Sequence, residues 1–114
     1  MIRVIYKIVP KSLWDEAKTK GVFEGAAIDL TDGYIHFSTA NQAKETAARH
    51  FAGQNDLLLV AVDVERLGTA LKFEPSRGGD LFPHLYAALD LSAVLWEKPL
   101  PLMPEGHQFP ELDA

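Results

Sequence analysis

Alternation of polar and apolar positions marks two unusual segments. Gly33-Tyr34-Ile35-His36-Phe37-Ser38, read as extended, puts Tyr34, His36 and Ser38 on one face and Ile35 and Phe37 on the other. Phe82-Pro83-His84-Leu85-Tyr86 groups His84 with Tyr86 in the same way, and Pro83 biases Phe82 toward an extended backbone. A core strand has little use for a ring, an imidazole and a hydroxyl in a row; a pocket wall does.

The remaining pattern predicts the scaffold. Ile2 to Val9 reads as a strand ended by Pro10, followed by a helix that Ser12 can cap. That helix carries Leu13, Trp14 and Ala17 on one stripe, and Gly21 closes it. Residues 22–33 read as a loop, with Gly25 and the Asp32-Gly33 turn pair. Thr39 to Gln42 resembles a capping box, and Ala43, Ala47 and Phe51 recur at helical spacing, which predicts a helix of about 13 residues ending at Gly53.

Leu57 to Val64 is almost continuously apolar and predicts a central strand covered on both faces. Leu71-Lys72-Phe73-Glu74 alternates as a half-buried strand, Pro75 to Asp80 reads as a loop, and Ala93 to Leu100 as a last strand. The tail from Pro101 holds three prolines and a glycine and is expected to run irregularly. The order predicts an α+β fold: two main helices on one side of a small, mostly antiparallel, split sheet. A single domain over residues 1–114 is expected.

Charge narrows the function. A net charge of -5 with scattered basic residues argues against an extended nucleic-acid surface. No apolar run approaches the roughly 20 residues of a membrane span, and the first apolar run is too short for a signal peptide. A soluble cytoplasmic protein is expected. Cysteine is absent, which removes disulfides, thiolate nucleophiles and Cys-based zinc. The four histidines, His36, His50, His84 and His107, lack metal-ligand spacing, and no metal site is expected.

Candidate chemistry therefore rests on His36, His84 and one carboxylate. An imidazole at 36 can donate to a ligand hydroxyl, Ser38 and Thr39 at a helix start can hold an anion, and Tyr34 and Tyr86 can flank a ligand. Tyr6 and Lys7 lie on opposite faces of the first strand, so one of them can look into the cleft. Trp14 and Trp96 are expected in the core. Glu97, on the last strand, is the best placed carboxylate.

These motifs give the chain a resemblance to a small bacterial family catalogued as domain of unknown function 952. It rests on Ile5-Tyr6-Lys7-Ile8, Trp14, the run from Gly33 to Thr39, Gln42, Phe51-Ala52-Gly53-Gln54 and the run from Phe82 to Tyr86. More distantly the chain is similar to the ADP-ribosyltransferase-like superfamily, and within it to the RNA 2′-phosphotransferases. The resemblance implies an ADP-ribosyltransferase-like split sheet with a cleft for NAD or an ADP-ribosylated substrate. It implies His36 and Ser38 as cleft residues and a loose counterpart of the third-motif carboxylate in Glu97. Lys7 stands where those relatives carry histidine, and Ile8 where they carry glycine. The expected ligand is a nucleotide-like small molecule, with NAD as substrate or ligand. The alternatives are a non-catalytic module that binds a small ligand or peptide, and a protein-interaction subunit.

Overall fold

The computed structural model describes residues 1–114, apart from the side chain of Arg77. In chain order the elements are β1 (Val4–Pro10), α1 (Lys11–Lys20), β2 (Val22–Phe23), α2 (Ala27–Asp32), β3 (Ile35–His36), α3 (Ala43–His50), β4 (Leu57–Asp63), β5 (Leu71–Pro75), β6 (Leu81–Leu85), β7 (Leu89–Asp90), β8 (Val94–Pro99), β9 (Leu102–Met103) and β10 (Gly106–His107). Short 3-10 segments cover Val64–Ala70, Arg77–Gly79 and Leu91–Ala93.

Two three-stranded antiparallel sheets carry the fold, one ordered β1-β4-β8 and the other β3-β6-β5. They meet where Tyr6 and Ser38 exchange two backbone hydrogen bonds of 2.8 Å. The continuous apolar run of β4 follows from its central position. Leu58, Val60 and Val62 join Ile5, Val9, Trp14, Phe23, Ile35 and Leu85 in one core. Leu57, Leu59 and Ala61 join Tyr6, Ile8, Ala47 and Leu100 in a second core on the other face. Two-sided burial erases alternation, because both faces of the strand need apolar side chains.

Tyr6 and Lys7 do occupy opposite faces of β1. Tyr6 belongs to the second core, while Lys7 sits opposite Val60 on the side of the first. Trp14 is buried in the first core and Trp96 packs against the second.

The expected α+β class with split antiparallel sheets stands, but two parts of that expectation are corrected. There are three α-helices among the described residues rather than two, together with the seven-residue 3-10 segment Val64–Ala70. The strand order, two separate three-stranded sheets and two small ribbons (β2 with β7, β9 with β10), gives no ADP-ribosyltransferase-like topology.

The additional helix, α2, lies inside the expected loop 22–33. Its apolar residues Ile28 and Leu30 are exposed, so no buried stripe announces it. Asp29 starts it instead, accepting the Ala26 N–H at 2.8 Å. At α1, Pro10 rather than Ser12 occupies the cap position, since the helix leaves β1 directly, while Gly21 closes it at φ +83° as the sequence predicts. α3 is shorter than expected; Gln42 does reach back, accepting the Thr39 N–H at 3.0 Å. The tail forms the β9–β10 ribbon, and its Phe109 and Leu112 pack on the second core. No helix is long and apolar enough to cross a membrane.

Candidate functional site

The antiparallel register of β3 and β6 sets His36 directly opposite His84. Directly opposed residues share a face of the sheet, and the two rings meet edge to face with centroids 5.6 Å apart. Tyr34 covers both. Its ring stacks on His84 at 4.1 Å, lies 4.6 Å from His36 and 5.2 Å from Tyr86. Four of the residues singled out in the sequence thus form one patch. His84 is its buried floor, with a side chain only 4% exposed; His36 and Tyr34 are half-buried and Tyr86 is exposed.

Carboxylates hold each imidazole. Glu74 Oε1 receives His84 Nδ1 at 2.8 Å and the Tyr86 hydroxyl at 2.6 Å. These two bonds, the tyrosine's first, lower the Glu74 pKa; the same bond pushes the Tyr86 hydroxyl up to about 12. An ionised Glu74 can only accept, so His84 Nδ1–H is the donor of this bond. His84 Nε2 has no hydrogen-bond partner among the described residues. His36 differs: Nδ1 meets Asp29 at 2.6 Å and Nε2 meets Asp32 at 2.9 Å. Both ring nitrogens of His36 are thus engaged by carboxylates. Burial raises the Tyr34 hydroxyl, and the charges of Asp32 and Glu74 push it the same way.

Behind His36 lies a buried ion pair. Lys7 Nζ is within 3.1 Å of both Asp29 oxygens and 2.9 Å from the His36 carbonyl. Nζ donates to Asp29 Oδ1 and to the His36 carbonyl, and Asp29 Oδ2 lies at ion-pair distance, 3.0 Å. Burial lowers the Lys7 pKa, with Asp29 opposing it. Burial alone would raise Asp29, but the His36 ring, Lys7 and the N–H groups of Ala26 and His36 hold its carboxyl at about 2. Lys7 therefore meets the patch through Asp29 and the His36 carbonyl, from behind.

The other candidate residues sit elsewhere. Ser38 is buried, and its hydroxyl bonds that of Thr46 at 2.9 Å. Thr39 is buried, with its N–H taken by Gln42. Tyr6 donates its hydroxyl to the Asp113 carbonyl at 2.6 Å and packs against Trp96. Glu97 bonds the Trp14 indole and, at 2.9 Å, Lys18, tying β8 to α1. None of its recorded partners belongs to the imidazole patch. No set of three histidines and carboxylates converges as metal ligands among the described residues.

Asp29, Asp32 and Glu74 are the residues that sequence reasoning missed. Glu74 was legible in outline, because pairing Leu71–Glu74 with residues 81–85 across the Gly78-Gly79 turn sets Glu74 on the face of His84. Asp29 carried no such sign, as nothing periodic surrounds it.

Two surface grooves lie apart from the patch and include none of its members. One, of about 600 Å³, runs between α3 and the β9–β10 ribbon beside Ala47, Met103 and Phe109. The other, of about 240 Å³, is lined by α1, β2 and Leu30. Titratable side chains line the grooves too, Lys44, Glu105 and His107 in the first and Glu16, Lys20 and Glu24 in the second. What sets the patch apart is two imidazoles in edge-to-face contact, each hydrogen-bonded to a carboxylate.

The fold and the patch define a small α+β protein with a carboxylate-backed histidine pair on a sheet face. The family model "Protein of unknown function (DUF952)" matches residues 8–97, and the chain belongs to that family. It is similar to the crystal structure of protein CC0527 from Caulobacter crescentus, with 53% identity over 92% of this chain and 93% of that one and a TM-score of 0.89. The solution structure of CC0527 is similar at 53% identity, 91% and 90% coverage and a TM-score of 0.82. The chain has no significant match among curated proteins.

Proposed function

We propose that the face built by Tyr34, His36, His84 and Tyr86 binds a nucleotide-like small molecule of the NAD, ADP-ribose or phosphorylated-ribose kind. One observation carries this reading: Tyr34 stacks at 4.1 Å on a histidine whose neighbour is a second histidine at 5.6 Å. Aromatic rings of this kind hold the π-face of a base. Of the imidazole nitrogens beneath, His84 Nε2 is the one left without a partner among the described residues, and it suits a ribose hydroxyl. The chemistry that fits is ribosyl or phosphoribosyl transfer. Its oxocarbenium-like transition state gains positive charge, and charge fixed in advance by the fold stabilises it without reorganisation. Asp32 and Glu74 supply that negative charge at the edge of the patch. Binding without turnover is the second reading, favoured by the engagement of Glu97 with Trp14 and Lys18.

Calorimetric titration with NAD, ADP-ribose and nicotinamide tests the proposal. At least one ligand is expected to bind, and Tyr34→Ala and His84→Gln are each expected to weaken it about tenfold. No binding by any of the three, or unchanged affinity in both folded variants, contradicts the reading.

A further inference from the structure

The register of the second sheet aligns more than the two imidazoles. Lys72 of β5 is the partner of His84, and His84 is the partner of His36. The three side chains therefore form one row across three adjacent strands, spaced by the strand separation of about 4.8 Å.

Lys72 is exposed. It makes no ion pair and no hydrogen bond among the described residues. The nearest acid on its own strand is Glu74, two residues away on the same face. Glu74 Oε1 is already committed to His84 and Tyr86. Lys72 and Glu74 act on each other through charge without forming a bond. The ammonium is thus held at the margin of the patch and left free. His84 contributes a second unused group, since its side chain is 4% exposed and its Nε2 has no described partner.

The expected anion holders do not compete for this role. The Ser38 hydroxyl is spent on Thr46, and the Thr39 N–H on Gln42. Lys7 is buried against Asp29. Among the lysines on the strands that build the patch, Lys72 alone stands free among the described residues.

We propose that Lys72 is the phosphate-binding residue of the site, so that the ligand is a phosphate ester of a nucleoside or ribose rather than the free nucleoside. This rests on the ligand-binding reading above. The sugar lies against the exposed parts of Tyr34, His36 and Tyr86, and its phosphate extends along the row toward β5. There Lys72 meets it as a point charge with three rotatable donors. An exposed lysine on an edge strand tolerates replacement, so the variants needed to test it keep the fold.

The test compares matched ligands by calorimetry: ADP-ribose and ribose 5-phosphate against adenosine and ribose, on the wild type, Lys72→Gln and Lys72→Arg. Lys72→Gln is expected to weaken the phosphorylated ligands about fivefold and to leave the unphosphorylated ones unchanged. Lys72→Arg is expected to restore most of the loss. Equal effects on phosphorylated and unphosphorylated ligands, or no effect on either, overturn the assignment of Lys72. Failure of every ligand to bind the wild type overturns the ligand-binding reading itself, which separates the two claims.

Discussion

Asp29 is almost fully buried, yet it serves four groups: the Lys7 ammonium, the Ala26 N–H, the His36 N–H and the His36 ring. Its carboxyl is held at about 2 against an ordinary 3.8. A carboxyl whose pKa falls on folding stabilises the fold at pH values above its unfolded pKa and loses that contribution as pH falls through the folded one. The contribution is about 2 kcal/mol, and it disappears between roughly pH 4 and pH 2. Asp29→Asn removes the charge and strands Lys7 without its counter-ion. Breaking a buried pair from one side costs about 3–5 kcal/mol. Urea denaturation at pH 7 is expected to show a loss of that size, which shrinks as the pH is lowered toward 2. A loss below about 1 kcal/mol would show that the pair is not the buried tie described. Glu74 acts on the opposite imidazole in a more exposed setting, so its influence falls on the orientation of His84 and Tyr86 more than on stability.

At the scale of elements, α2 is the piece that brings Asp29 and Asp32 to His36. Its six residues bury no apolar side chain, so its position depends on Asp29 and on the close turn before it. Gly25 makes that turn at φ +123°, and a Cβ there would stand 2.9 Å from the Asp29 Cβ. Gly25→Ala is therefore expected to displace Asp29 and loosen the His36 ring. The signature is a shifted His36 imidazole resonance together with a stability loss of more than about 1 kcal/mol. An unchanged His36 signal would remove α2 from the account of the site.

The same element explains what could be read from the chain. Strands with a buried face were legible, because β4 is a continuous apolar run and β3 and β6 alternate. The patch residues Tyr34, His36, His84 and Tyr86 followed from that alternation, since residues two apart on a strand must share a face. α2 was not legible: Ile28 and Leu30 are exposed, and the helix is set by one carboxylate rather than by a stripe. Glu97 looked available as a carboxylate because sequence alone does not show that α1 brings Trp14 and Lys18 to it.

At the scale of the molecule, the first sheet is the foundation and the second carries the imidazole patch. β4 buries both faces and gives the first sheet two cores. The second sheet turns Ile35 and Leu85 toward the first core and leaves the opposite face to the imidazoles, tyrosines and carboxylates. The Tyr6–Ser38 bridge joins the sheets, and Lys7 spans from β1 to Asp29 and the His36 carbonyl. The patch is thus braced from behind by the larger sheet, while its outer face rests on residues that join neither core cluster. Amide chemical-shift mapping during titration with ADP-ribose tests this division most directly. Perturbations are expected at residues 34, 36, 84 and 86, extending to 72 on the neighbouring strand. Shifts gathered instead around Ala47, Met103 and Phe109, or none at millimolar ligand, would contradict the assignment of function to the imidazole face.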